Sequence, residues 1–164
     1  MRQCSGMSLD RNGLMELGGN NPPMICRVAK EGRANRMSGF AIVNFNEIED
    51  SAGERAPGIE ARFARKSLDS EHLGVSYLRY EANVRSPMAH SHRQQEEAYV
   101  VVSGSGRIRL DDAIYQLRQW DVVRISPSTI RAVEAGDDGL ELIAIGSDRP
   151  EGGDGVPAQT AWID

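Results

Sequence analysis

Residues 87–99 read Pro-Met-Ala-His-Ser-His-Arg-Gln-Gln-Glu-Glu-Ala-Tyr and form the most informative stretch of the chain. If His90 and His92 lie on one strand, the two-residue period puts both imidazoles on the same face, about 6.6 Å apart along the chain. Glu97 would face the other way on an unbroken strand, so we expect polar residues 93–96 to form a hairpin turn that returns its carboxylate to the imidazoles.

Two imidazoles and a carboxylate are ligands that borderline divalent ions such as Fe(II), Mn(II), Ni(II) and Zn(II) accept. The stretch therefore predicts a metal site formed by His90, His92 and Glu97, with Glu96 as the alternative third ligand. A solvated hairpin with no bound metal is the competing interpretation. The apolar residues that follow Glu97 favour the metal site, because they place it at the mouth of a buried strand.

Short apolar runs separated by turn residues extend on both sides of this stretch. Residues 60–66 fit either a strand or a helical turn. Strand starts that recur about every 8–12 residues, with no long helical segment between them, are typical of an all-β sandwich or barrel. We predict strands at residues 40–45, 75–80, 98–102, 107–110, 113–117, 122–125, 130–134 and 140–145, with tight turns at 103–106, 111–112, 118–121, 126–129 and 135–139.

The spacing of these residues resembles the first motif of the cupin superfamily. His90 and His92 are separated by one residue, four residues precede Glu97, and six more precede Gly104. The resemblance extends over about residues 74–146 and is closest to small bacterial single-domain cupins of the second type. It implies a double-stranded β-helix barrel, jelly-roll-like, in which two histidines and a glutamate bind a metal. The fold class expected is thus an all-β single cupin barrel.

The second cupin motif is altered in this chain. Arg131 stands where the resemblance places a fourth metal ligand, and Ala135 stands at the position of an asparagine. A guanidinium stays protonated and has no lone pair to donate, so a metal here has at most three protein ligands. Either Arg131 holds a carboxylate, phosphate or enolate of a metal-bound ligand, or it pairs with Glu97 and leaves a metal-free pocket for a small acid or sugar-like molecule.

Three further side chains are candidates for lining the barrel cavity. Tyr99 shares the face of Glu97 and is placed to hydrogen-bond a ligand, and a core tyrosine with a satisfied hydroxyl is the favoured alternative. Tyr77 and Arg79 share one face of the preceding predicted strand. All three are expected to contact a small-molecule ligand.

Composition limits the classes of function. The 164 residues carry a net charge of -5, which argues against nucleic-acid and anionic-membrane partners because both need a concentrated basic face. The function expected is a metal-dependent enzyme of oxygenase or isomerase type, or a metal-free binding or sensing module; the fold alone does not choose between them. A homodimer formed through an edge strand is also expected.

The charge is unevenly distributed and divides the chain. Residues 1–36 have a net charge of +3 and a Gly-Gly-Asn-Asn-Pro-Pro run without hydrophobic periodicity, so we predict a flexible basic tail over residues 1–37. The barrel is expected over residues 38–148, followed by a loose C-terminal strap over residues 149–164. Both cysteines, Cys4 and Cys26, fall in the predicted tail, which favours a reducing cytoplasmic location.

Overall fold

The computed structural model describes residues 39–158 and residue 162. The predicted tail, with both cysteines, therefore lies outside the described residues. Within them, no helix is long and apolar enough to cross a membrane. The strands are β1 (Ile59–Phe63), β2 (Gly74–Tyr80), β3 (Ala89–His92), β4 (Glu97–Leu110), β5 (Ala113–Arg118), β6 (Val122–Ile125), β7 (Arg131–Gly146) and β8 (Gly155–Ala158), and two short 3-10 helices span Phe45–Glu47 and Gly53–Arg55.

The strands form one antiparallel sheet that curls into a β-barrel, as expected for the all-β fold class. The order β1-β2-β7-β3-β8 runs along one path, and β4 pairs with β5, β6 and β7. The long strands β4 and β7 pair along most of their lengths, with Leu110 opposite Arg131 at one end and Glu97 opposite Gly146 at the other. Because β7 also pairs with β2 and β3, it links the two halves of the sheet.

The predicted turns at residues 103–106 and 135–139 are wrong, because both segments continue a strand. Residues 103–106 lie within β4, whose pairing with β7 shifts register between Val101 and Ser103 and again between Gly104 and Gly106. Gly104 has a φ of 73°, and a Cβ there would lie 2.1 Å from the carbonyl oxygen of Gly139. Glycines that are typical of turns serve here as bulges, which bend a strand without ending it.

The beginning of the described chain also differs from expectation. Residues 40–45 were predicted as a strand, but Phe45–Glu47 forms a 3-10 helix whose N-cap is Asn44. The Asn44 side chain accepts a hydrogen bond from the backbone N–H of Asn46 at 3.0 Å, a local bond that competes with strand pairing. The ambiguous segment 60–66 is a strand over Ile59–Phe63.

The C-terminal segment adds a strand that the sequence did not indicate. Residues 149–164 were expected to form a loose strap, but within them β8 pairs with β3, with Ser91 opposite Val156 and His92 opposite Gly155. Trp162 lies against the guanidinium groups of Arg85 and Arg107, at 5.4 and 5.5 Å from its ring centroid. The C-terminal segment thereby covers the edge of β3 that does not pair with β7.

The hydrophobic core is formed mainly by the inward-facing side chains of the paired strands β4 and β7, together with residues of β2, β5 and β6. Alternate residues of these strands point inward, so that one face of each is buried and the other is not. The largest apolar side chains with almost no exposure are Val101, Ile108, Ile125, Leu140 and Leu142. Among residues 39–158, the largest fully buried side chain is that of Arg131, and a buried cation must have partners nearby.

Candidate metal centre

His90, His92 and Glu97 come together inside the barrel. The two histidines are on β3 with one residue between them, and their ring centroids are 5.3 Å apart. Glu97 is the first residue of β4. One ligand atom from each of the three side chains lies within 4.8 Å of the others, and all three are half-buried. The structure thus assembles the triad that the sequence spacing predicted.

The path by which Glu97 reaches the histidines is not the predicted hairpin. Among the described residues, β3 pairs with β7 and β8, whereas β4 pairs with β5, β6 and β7. The connection is held instead by Gln95, whose amide Nε2 donates to the backbone carbonyl of Ser147 at 2.7 Å. Glu96, the alternative ligand, points toward solvent and pairs with Arg124 at 2.5 Å, so Glu97 is the carboxylate that faces the imidazoles.

Arg131 points into the barrel and is bound on several sides. Its Nη2 donates to the Glu97 carboxylate at 2.6 Å, and its Nη1 donates to the backbone carbonyls of Thr129 at 2.9 Å and Pro127 at 3.3 Å. Only 1% of its surface is exposed. The structure therefore shows the pairing with Glu97 that one of the two sequence interpretations required.

Burial and charge act together on the triad. Burial, followed by the positive charge of Arg131, lowers the pKa of His90 to about 4, so this imidazole is neutral at pH 7 and its ring offers a lone pair. The Tyr99 hydroxyl donates to the Glu97 carboxylate at 3.2 Å. Burial and the Glu97 charge raise the pKa of Tyr99, which keeps its hydroxyl proton in place. Tyr99 is accordingly a neutral donor beside the candidate ligand.

Asp154 is a site residue that the sequence interpretation missed. Its carboxylate lies 2.7 Å from Nδ1 of His92 and accepts hydrogen bonds from the backbone N–H groups of Gln94 and Gln95 at 2.9 and 2.8 Å. Burial raises the pKa of Asp154, but these donors and His92 outweigh it and hold the pKa at about 2. Asp154 lies within the Gly-Gly-Asp-Gly run, which reads as a loop, and no periodicity marks it.

Tyr77 and Arg79 lie away from the triad, contrary to the expectation that they line the cavity. They alternate along β2 with Leu78 and Tyr80, which pack in the core, and therefore occupy the opposite face of the sheet. The ring of Tyr77 lies 5.9 Å from that of Phe45, and burial, then Glu141, raises the pKa of Tyr77 to about 12. Arg79 pairs with Glu60 at 3.6 Å.

Known proteins resemble this chain in structure more than in sequence. No protein-family model matches the sequence, and no curated protein matches it. Among solved structures, a cupin protein from Bacteroides fragilis is 25% identical with a TM-score of 0.57, over 76% of this chain and 100% of that one. This chain is a member of the cupin superfamily.

Two larger proteins share the cupin fold at lower identity. Oxalate decarboxylase from Bacillus subtilis is 18% identical with a TM-score of 0.61, over 70% of this chain and 31% of that one. Salicylate 1,2-dioxygenase from Pseudaminobacter salicylatoxidans is 14% identical with a TM-score of 0.51, over 56% of this chain and 27% of that one. The chain thus spans about a third or less of the length of these two enzymes, and the likeness to them is one of fold.

Proposed function

We propose that this cupin binds one divalent transition metal through His90, His92 and Glu97. The observation that carries the proposal is the state of His92: its Nε2 is buried and has no hydrogen-bond partner among the described residues. A buried nitrogen without a partner costs on the order of 1–3 kcal/mol, and a metal ion would offset that cost. The same atom lies 3.4 Å from the Glu97 carboxylate, so both can bind one ion.

The donor set indicates which metals fit. Two imidazoles and one carboxylate suit Fe(II), Mn(II), Ni(II) or Zn(II), and Ca(II) or Mg(II) would prefer oxygen ligands. A metal held by three protein ligands keeps open positions and supplies Lewis acidity or a site for O2. We therefore propose a metal-dependent enzyme of oxygenase or isomerase type as the catalytic form of this function.

Arg131 is the residue that would bind the organic ligand in this proposal. Its Nη2 donates to the Glu97 carboxylate, which is also a proposed metal ligand. If Glu97 bound a metal, its negative charge would be partly neutralised, and the Arg131 guanidinium could then pair with a second anion. The planar guanidinium then matches a carboxylate, phosphate or enolate group. The Tyr99 hydroxyl has a single proton, which it donates to Glu97, so it would serve such a ligand only by giving up that hydrogen bond.

The second candidate function is a metal-free binding or sensing module. The observation that favours it is the same Arg131–Glu97 contact at 2.6 Å, because a buried cation next to the metal position repels a divalent ion. In this form Arg131 replaces the fourth metal ligand and neutralises Glu97. The pocket would then bind a small acid or sugar-like molecule without chemistry.

Metal titration of the purified protein separates the two functions. Purified apoprotein is titrated with Zn(II), Ni(II), Mn(II) and, without oxygen, Fe(II), and the bound equivalents are measured. We expect about one equivalent of at least one ion, weakened about tenfold or more in Glu97→Gln. His72→Ala is the matched control, because His72 is exposed and pairs with Asp148 away from the triad.

Less than a tenth of an equivalent with every ion would refute the metal proposal and favour the metal-free module. The homodimer through an edge strand and the cytoplasmic location stay predictions. Sedimentation of the full chain tests the first.

A further inference from the structure

We propose that Asp154 is a positioning residue of the metal centre, which fixes the tautomer of His92 so that Nε2 faces the Glu97 carboxylate with a free lone pair. The inference rests on the proposed function, since it explains how one ligand is prepared. It concerns a residue of the C-terminal segment, outside the part of the chain that carries the two cupin motifs.

The hydrogen bonds around Asp154 decide where the proton of His92 sits. Both backbone N–H groups that reach the carboxylate, from Gln94 and Gln95, can only donate, and both donate to Oδ2. They favour the ionised carboxylate, whose other oxygen, Oδ1, can only accept. Because Oδ1 lies 2.7 Å from Nδ1 of His92, the imidazole proton belongs on Nδ1.

The opposite nitrogen of the ring is thereby left as an acceptor. Nε2 of His92 is buried and lies 3.4 Å from Oε2 of Glu97. In the other tautomer Nε2 would carry a hydrogen and have no lone pair for a metal. Metal-binding histidines commonly donate their second ring N–H to a carboxylate or carbonyl, which fixes both the tautomer and the ring orientation.

The backbone of the C-terminal segment holds Asp154 in register with the ligand strand. Gly152 and Gly153 have φ values of 83° and 84°, which reverse the chain just before Asp154. Beyond it, β8 pairs with β3, and the backbone N–H of Arg93 donates to the carbonyl of Asp154 at 3.2 Å. The carboxylate is fully buried, so solvent cannot replace it at Nδ1.

The test measures the tautomer and the metal affinity separately. The chain contains three histidines, so long-range 1H–15N spectra of metal-free protein can be assigned with one variant for each. We expect His92 to carry its proton on Nδ1. In Asp154→Asn the amide oxygen keeps the backbone donors while its NH2 group faces Nδ1, so the proton should move to Nε2 and Zn(II) and Ni(II) affinity should fall about 10- to 100-fold.

Asp148→Asn is the matched control. It changes another aspartate that contacts a histidine Nδ1, that of His72 at 2.9 Å, but both side chains are exposed. The control should leave the His92 tautomer and the metal affinity unchanged. A merely structural role of Asp154 would lower the melting temperature without moving the imidazole proton.

The outcomes separate this inference from the proposed function. A wild-type His92 protonated on Nε2, or an Asp154→Asn variant with unchanged tautomer and affinity within twofold, overturns the positioning role even if the wild type binds metal. A proton that moves in the variant, in a protein that binds no metal, supports the effect of Asp154 on His92 and overturns the metal function. If Asp154→Asn does not fold, the wild-type tautomer alone decides.

Discussion

At the scale of single residues, the site differs from the cupin motif that it resembles at one position, where an arginine replaces the fourth metal ligand. Arg131 occupies the position of a fourth ligand in the motif, is fully buried, and binds Glu97. Removing one partner of a buried ion pair leaves an uncompensated charge, so Arg131 and Glu97 depend on each other. The sequence identified both residues and the departure from the motif, but whether the guanidinium points inward depended on packing that no local pattern shows.

Replacing the cation with a ligand tests this account of Arg131. Arg131→His removes the charge beside Glu97 and adds an imidazole on the strand that faces His90. We expect at least a tenfold gain in Zn(II) affinity by calorimetry, because repulsion is lost and a fourth ligand is gained. Arg124→His is the control, since Arg124 is exposed and pairs with Glu96 outside the triad. An affinity that is unchanged or lower in Arg131→His would contradict the proposed competition.

At the scale of elements, sequence patterns placed β5 and β6 well but divided the two long strands and missed β8. Strands β5 and β6 match the predicted residues 113–117 and 122–125 to within one residue. Strands β4 and β7 were each predicted as two strands, because their bulges contain the same glycine and aspartate residues as turns. Strand β8 was missed because its short Gly-Val-Pro-Ala run has no alternation, and its partner β3 is distant in sequence.

The bulge in β4 can be tested with one methyl group. Gly104→Ala would force a positive φ of 73° on alanine and place its Cβ 2.1 Å from the Gly139 carbonyl oxygen. We expect the free energy of unfolding, measured in urea, to fall by about 3 kcal/mol or more. Gly53→Ala is the control, because Gly53 has a φ of 50° but nothing within 4 Å of a Cβ, so only about 1 kcal/mol should be lost. Equal losses would show that the close approach of β4 to β7 is not as described.

At the scale of the whole molecule, the fold class followed from strand spacing and the cupin resemblance. The triad followed from its own spacing, which depends on a period of two along one strand. Asp154 did not, because it reaches the site through pairing between strands that lie far apart in sequence. What remains a prediction at this scale is the division into a tail over residues 1–37, a barrel over residues 38–148 and a strap.

Deletion of residues 1–37 tests that division. The segment has no hydrophobic period with which to bury a face, so we expect the melting temperature of the shortened chain to stay within about 2 °C of the full chain. Metal affinity should also be unchanged, since the triad lies on β3 and β4. A large drop in melting temperature would show that these residues belong to the folded unit.

Metal binding by His90, His92 and Glu97 is tested most directly by a crystal structure of the Zn(II)-loaded protein with anomalous scattering at the zinc edge. We expect one strong peak about 2.0–2.2 Å from Nε2 of His92, a ring nitrogen of His90 and the Glu97 carboxylate. A protein without a peak there, or with zinc only at the exposed His72–Asp148 pair, would contradict it.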